Sequence, residues 1–461
     1  MNGKAAEFLR GFGGLDSTAC VTDRRSFRLA TNPTRLLIGS ASERYQRLLA
    51  PFDPDQPDAG FQTLADLSGR RFLIVSAPFG RFGRVLARAI ETRGGEVRRM
   101  LFNAGDVANW GRSGGLPFRE TAAHWPERLA ALAAEFTDII VFGEGGPYNQ
   151  GVLSQTHQLK ARVWVLENGY FRPDWITLER NGVNGSSALP RSGAGYPPPP
   201  PELPVSRPVG KILPHHVINI SLYHAVQPLG RLLFPRYRHH YSAPPWRQCL
   251  GHVRRYLGLG VRPRRASDAD RLRAKGPFFI ACLQRDGDAQ LLRYSDIHDN
   301  LAFLARVMDS FAAAAPANSR LVVKNHPLDP GLINLARETR RMAEARGLTG
   351  RVDFIDGGNL AQLCRASEGM VVNNSSAALS ALGFGTPVKV LGQAFFDFEG
   401  LTDQKPLDAF WRAPRPADRQ LFAAFRAYVI NRTQINGNYH EPRVMAATAA
   451  RVADALATRL G

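Results

Sequence analysis

Residues 71–76 read Arg-Phe-Leu-Ile-Val-Ser, an apolar run with polar ends, and such a run predicts a strand buried on both faces. It leads through Gly80 and Gly83 into a helical pattern that lasts to Ile90. Further strands are expected over 97–102, 138–142 and 163–166, with an amphipathic helix over 125–136. The alternation stops at Ser186 and resumes at 278–283. From there, strands are expected at 320–324, 352–355, 370–372 and 388–391, and helices near 300–314, 333–346, 359–366 and 376–382. Strands alternating with helices imply parallel, doubly wound sheets. The expected fold class is therefore α/β, with two Rossmann-like domains.

Interruptions of the pattern set the expected boundaries: an irregular N-terminal lead-in (1–60), an N-terminal Rossmann-like domain (61–187), a Pro-rich linker (188–210), a basic, partly amphipathic connecting region (211–275), a C-terminal Rossmann-like domain (276–443) and a C-terminal helix (444–461). The linker carries five consecutive prolines at 197–201, a composition that favours polyproline geometry over a packed core. The last helix is expected to pack back across the domain interface. Two such domains with a ligand between them form the GT-B-like glycosyltransferase arrangement.

Composition narrows the class. With 44% apolar residues and 26 Phe in 461 positions, the chain can build cores and is not intrinsically disordered. Cys20, Cys249, Cys282 and Cys364 lie far apart without metal-ligand spacing, which excludes a disulfide scaffold and fits a reducing compartment. No apolar run approaches the ~18–20 residues that span a bilayer, and Arg10 breaks the only apolar stretch near the N-terminus. A cytoplasmic location is expected. The net charge of +19 is uneven: twelve Arg or Lys face two acids between Arg231 and Lys275. Such a patch attracts the phosphates of nucleic acid, anionic lipid or nucleotide, or is simply solvated surface. A nucleic-acid binder would interleave aromatics and Arg on a recognised module; none is found, so no nucleic-acid partner is expected. Six histidines between 215 and 252 lack the spacing of a zinc site.

In an open parallel sheet, ligands bind beyond the carboxyl ends of the strands. Three such places in the second domain are polar: Gln284 to Gln290, Lys324-Asn325-His326-Pro327, and Asn373-Asn374-Ser375-Ser376. Ser375 or Ser376 is expected to cap the following helix, whose first N–H groups suit a phosphate. Lys324 and His326 are expected to add positive charge and a donor there. Asp286-Gly287-Asp288 reads as a solvated turn, a metal-binding Asp-x-Asp pair or the holder of a nucleophile. In the first domain, Glu167 ends a strand and should point into the cleft, where desolvation would raise its pKa for acid–base work. Arg172 suits an anionic substrate, or an ion pair with Asp174 or Glu179.

The run Glu167 to Glu179 (Glu-Asn-Gly-Tyr-Phe-Arg-Pro-Asp-Trp-Ile-Thr-Leu-Glu), followed by Gly182-Val183-Asn184, resembles the capsule polysaccharide biosynthesis and export proteins of the KpsS/LipB type. So do Asn103-Ala104-Gly105-Asp106, the Gln-x-x-x-Asp-x-Gln pattern at 284–290 and Lys-x-His-Pro at 324–327. The resemblance covers roughly 70–185 and 278–392; Gly143 to Asn149 departs from it, because an Arg and a His are expected there. It implies a retaining, metal-independent transferase that moves β-Kdo from CMP-Kdo to a phosphatidylglycerol-type lipid to start the capsule linker, with no cofactor. The first domain would take the acceptor and the second the CMP-sugar. By resemblance Asp288 matches the nucleophile and Glu167 the acid/base, Gln284, Lys324, His326, Ser375 and Ser376 serve the donor, and Asp106, Arg172 and Asn184 belong to the acceptor side of the cleft. Implied partners are the anionic lipid, the cytoplasmic face of the inner membrane and other capsule assembly proteins. Poly-Kdo linker elongation, or a non-catalytic, membrane-associated export scaffold, are the alternatives.

Overall fold

Parallel strand pairing organises both halves of the chain. The computed structural model describes residues 65–459 apart from 211, 240–243, 261–267 and 286. The expected lead-in at 1–60, together with Asp286, Arg262, Arg264 and Arg265, lies outside the described residues. The strands are Arg71–Ile74 (β1), Glu96–Leu101 (β2), Gly115–Pro117 (β3), Asp138–Phe142 (β4), Arg162–Asn168 (β5), Trp175–Arg180 (β6), Phe278–Cys282 (β7), Arg320–Lys324 (β8), Val352–Ile355 (β9), Gly369–Val372 (β10), Val388–Val390 (β11) and Gln434–Asn436 (β12). They form two sheets, ordered β12-β6-β5-β4-β1-β2-β3 and β11-β10-β7-β8-β9. Within both, the parallel strands follow the doubly wound order in which the first strand of the unit lies between its second and fourth.

Continuous apolar runs become central strands because helices cover both faces: β7 is buried at all five positions. Separate apolar clusters fill the two faces of each sheet. Two Rossmann-like sheets whose strand ends meet at one cleft give the GT-B-like arrangement.

The first sheet is mixed rather than parallel throughout. β6 runs antiparallel to β5, with Glu167 opposite Thr177, and β12 runs antiparallel to β6. The motif 167–179 is thus a hairpin as well as a candidate site. Gly169 permits it: a Cβ there would sit 2.0 Å from the Trp175 carbonyl oxygen.

β12 also moves the domain limit expected at 443. Residues 434–436 already belong to the first sheet, because the Gln434 side chain accepts from the Tyr170 amide at 2.9 Å and donates to Thr177 Oγ1 at 3.0 Å. The final helix, Pro442–Thr458, then buries Val452, Ala453 and Leu456 in the cluster that holds Leu86 and Ile90 of helix Phe82–Glu91.

Two further expectations change. The proline-rich stretch is a fixed strap: Tyr196 is buried and stacks on Phe398, and Leu189 joins the same second-unit cluster. In the connecting region the helix spans Ile212–Val226 and buries only Tyr223, whereas Val217, Ile218 and Leu222 stay exposed. It is therefore not amphipathic toward the protein.

An ion cluster pins the central strands of the first sheet. Asp138, fully buried, accepts from Arg70 Nη2 at 2.5 Å, Thr137 Oγ1 at 2.6 Å, Trp164 Nε1 at 2.8 Å and Arg162 Nη2 at 3.1 Å. Burial alone would push its carboxyl up, but the hydrogen bonds from Arg70, Thr137 and Trp164 hold it below the ordinary value. Asp138→Ala strands these donors and should cost about 3–5 kcal/mol in urea unfolding, as for other broken buried pairs. A loss under about 1 kcal/mol, the worth of one ordinary hydrogen bond, would show that the cluster is not structural.

Candidate active site

The carboxyl ends of both sheets open on one cleft of about 1210 Å³. Its walls include Ser76 after β1, Asp106 after β2, Gly143 to Asn149 after β4, Glu167 at the end of β5, Gln284, Arg285 and Gly287 to Gln290 after β7, Lys324 to Leu328 after β8 and Asn374 to Ser376 after β10. All ten residues singled out from the sequence, Asp106, Glu167, Arg172, Asn184, Gln284, Asp288, Lys324, His326, Ser375 and Ser376, line it.

Glu167 Oε1 accepts from its neighbour Asn168, at 2.8 Å from the backbone N–H and 3.2 Å from Nδ2. Tyr439, from the returning chain, donates its hydroxyl to the Glu167 carbonyl at 2.8 Å. Gly143 adopts φ +70°, and a Cβ on it would lie 2.9 Å from Glu167 Oε2, so glycine makes room for this carboxylate. Burial pushes the Glu167 carboxyl up to about 7, and the negative charges of Asp288 and Glu144 add to that, against the Asn168 N–H and Arg172.

Asp288 belongs to the other unit and caps helix Ala289–Arg293, accepting from the Gln290 N–H at 2.9 Å. Burial raises its carboxyl too, opposed by that N–H, Arg172 and Arg285. A third carboxylate, Glu144, accepts from Val183 N–H at 3.1 Å, Tyr294 Oη at 2.9 Å and Gln290 Nε2 at 3.4 Å. It thereby fastens the Asp288 helix to the first unit. Sequence reasoning passed over Glu144; a carboxylate between glycines at a strand end was its only signal.

The second unit's side of the cleft is otherwise cationic and polar. Lys324 is buried, yet its ammonium reaches only the Asn325 carbonyl oxygen, at 3.5 Å, and pairs with no carboxylate among the described residues. A buried ammonium without a counter-ion is costly, so the place is suited to an anion. His326 differs from expectation. Its pKa is pushed down to about 3 by burial and by Arg172, Arg285 and Lys324, and Nδ1 accepts from the Leu328 N–H at 3.0 Å. The ring is thus a neutral donor through Nε2, and the added charge comes from Lys324 alone. The capping expectation also shifts: Ser376 occupies the N-cap position of helix Ala377–Gly383 without a side-chain cap bond, while Ser375 Oγ accepts from the Ala377 N–H at 3.3 Å.

Two candidates, Gln284 and Asp106, are spent on scaffolding, and Asn184 contributes only its backbone. Gln284 is buried and exchanges bonds with Asn374, Nε2 to Oδ1 at 2.9 Å and N–H to Oε1 at 3.2 Å. Asn374 in turn donates to the Gln290 carbonyl at 2.8 Å, which orients the Asp288 helix. The Asp106 carboxylate is satisfied by Phe102 N–H at 3.0 Å, Asn103 Nδ2 at 3.2 Å, Tyr223 Oη at 3.2 Å and Arg99 at 3.4 Å. The Asn184 N–H donates to Tyr170 Oη at 2.8 Å. Arg172 forms neither of the expected pairs. Its Nε donates to the Gly169 carbonyl at 3.1 Å, and Asp174 and Glu179 are held instead by Val209 N–H and Ser206, and by Tyr170 and Ser187. Its charge bears on Glu167, Asp288 and His326.

Residues 137–440 match the family model described as capsule polysaccharide biosynthesis protein. The chain belongs to this family. It is 33% identical over 390 residues to capsule polysaccharide modification protein LipB of Neisseria meningitidis serogroup A, covering 81% of this chain and 92% of LipB. It is 32% identical over 387 residues to capsule polysaccharide export protein KpsS of Escherichia coli, covering 81% and 98%. Among solved structures, the KpsC beta Kdo 2,7 transferase of Thermosulfurimonas dismutans aligns over 78% of this chain and 89% of its own, at 14% identity and a TM-score of 0.38. The region shared with the capsule family holds every candidate except Asp106. Among the described residues, no group of three His, Cys, Asp or Glu side chains is placed to hold a metal ion.

The raised pKa of Glu167 has a measurable consequence. Its carboxyl holds a proton more tightly folded than unfolded, so the stability it contributes is complete below pH 4.5 and declines as pH rises through about 7. Glu167→Gln lacks this titration. Its melting temperature should therefore gain on the wild type across that window, and a pH-independent difference would mean an ordinary carboxyl.

Proposed function

We propose that this capsule-family protein is a retaining glycosyltransferase that moves β-Kdo from CMP-Kdo to a phosphatidylglycerol-type lipid, starting the capsule linker at the cytoplasmic face of the inner membrane. The observation that carries the reading is the meeting of Glu167 and Asp288, from opposite sheets, in a cleft that also holds a buried Lys324 with no carboxylate partner among the described residues. Retention requires two displacements. An Asp288 oxygen attacks the anomeric carbon, the bond to the CMP phosphate oxygen breaks, and CMP leaves with the electron pair. The acceptor hydroxyl then attacks the glycosyl ester, releasing Asp288, while Glu167 takes the hydroxyl proton. A carboxyl titrating near 7 suits that transfer.

CMP-Kdo carries one phosphate and one carboxylate. Lys324, the Nε2–H of His326 and the hydroxyls of Ser375 and Ser376 can meet both without a metal. No helix among the described residues is long and apolar enough to cross a membrane, so the membrane contact would be peripheral. The names of the curated relatives, a modification protein and an export protein, support a place in capsule assembly beside other proteins.

The direct test is incubation with CMP-Kdo and a fluorescent phosphatidylglycerol analogue in EDTA, followed by mass spectrometry. One Kdo added to the lipid is expected; no transfer, or transfer only to a Kdo-bearing lipid, would replace this reading with the scaffold or the elongating enzyme. Asp288→Asn should abolish transfer and keep CMP binding, whereas Glu167→Gln should accumulate a Kdo ester on Asp288, visible as intact-protein mass. Calorimetry addresses the donor site: Lys324→Gln, His326→Ala, or Ser375→Ala with Ser376→Ala should each weaken CMP binding about tenfold or more, the usual loss of a hydrogen bond to a charged group. Unchanged affinity in all three would put the donor elsewhere.

A further inference from the structure

Not one Asp or Glu occurs between residues 203 and 267. Within this acid-free stretch large apolar side chains point to solvent: Leu222 is 61% exposed, Leu229 80%, Leu232 94%, Trp246 67% and Leu250 63%. Exposed arginines alternate with them, at 231, 236, 238, 247 and 254. Arg231, Arg236, Arg238 and Arg247 have no acidic partner among the described residues. Exposed apolar residues are ordinarily scattered singly, and a cluster of them marks an interaction surface.

The outward leucines sit on backbone that is fastened from beneath. Tyr223 Oη donates to Asp106 at 3.2 Å and accepts from Asn103 Nδ2 at 2.6 Å. Gly230 packs on Ala104 so closely that a Cβ would fall 2.3 Å from the alanine methyl, and Phe234 is buried in the first unit's core. Helix Pro245–Gly260 is fixed to the second unit through Arg255, which pairs with Asp356 and donates to the Pro327 carbonyl at 2.9 Å. Tyr223, His224, Tyr237, Arg238, His239 and Gln248 of the same stretch line the cleft. The stretch that carries the exposed apolar side chains thus also lines the candidate active site.

We infer that the described residues of 217–239 and 244–254 form a docking surface for an anionic lipid bilayer, with the leucines and Trp246 entering the interface and the arginines lying at head-group level. A groove for nucleic acid would use the arginines but leave the leucines in water. A second copy of this chain would bring like charges together. A bilayer with negative head groups satisfies both, since interfacial surfaces combine apolar burial with basic attraction and their arginines keep the charged end in the polar layer. This deepens the lipid-acceptor reading, yet it stands on the surface alone, and vesicle binding without CMP-Kdo separates the fate of the two.

The test is flotation of the full chain with phosphatidylcholine vesicles, with and without phosphatidylglycerol. Binding is expected only with the anionic lipid, and should fall as salt is raised. Arg231→Gln, Arg236→Gln and Arg247→Gln should each lower partitioning about fivefold, the share of one basic residue near such a surface. The triple variant Leu229→Ser, Leu232→Ser, Trp246→Ser should lower it at least ~tenfold while keeping the wild-type melting temperature. Wild type that stays unbound, variants that float like wild type, or a patch whose loss abolishes duplex-DNA binding or dimerisation instead, would overturn the inference.

Discussion

Burying a charge without a partner is the constraint around which this molecule is arranged. Asp138 is surrounded by donors from Arg70, Thr137, Trp164 and Arg162, Asp106 is saturated at the end of β2, and Glu179 is held by Tyr170 and Ser187. These groups are settled, and they stiffen the frame. The cleft is different: among the described residues Lys324 pairs with no carboxylate, nor does Arg172, and Glu167 is desolvated beside other carboxylates. Electrostatic demand left open in one place, inside a frame where it is met elsewhere, is what a site for an anionic ligand requires.

That cleft exists because the chain returns. β12 pairs with β6, the Tyr439 hydroxyl holds the Glu167 carbonyl, and the last helix packs on Phe82–Glu91. The second unit is thereby anchored to the strand that carries Glu167. From the other side, Glu144 takes hydrogen bonds from Tyr294 and Gln290, and Asn374 clasps the Gln290 carbonyl. Asp288 is positioned by both networks. The carboxylates are therefore brought to one cleft through a few named contacts, and a domain movement that opened it would break the Glu144 bonds.

The local sequence was enough for the strands, because a buried parallel strand needs a continuous apolar run and few other elements use one. It was enough also to bring Glu167, Gln284, Asp288, Lys324, His326, Ser375 and Ser376 to one cleft, since polar residues that end such runs emerge at the same edge of the sheet, whereas Asp106, Arg172 and Asn184 were placed there by resemblance. What it did not contain is pairing over long separations. That Gln434 leads a strand into the first sheet and that Glu144 braces the Asp288 helix depend on partners more than about a hundred residues away. Nor could composition say that His326 is neutral or that Gln284 and Asp106 are spent on scaffolding. A side chain's charge and free hydrogen-bonding capacity are set by how deeply it is buried and by what faces it, and only the packed tertiary structure fixes either.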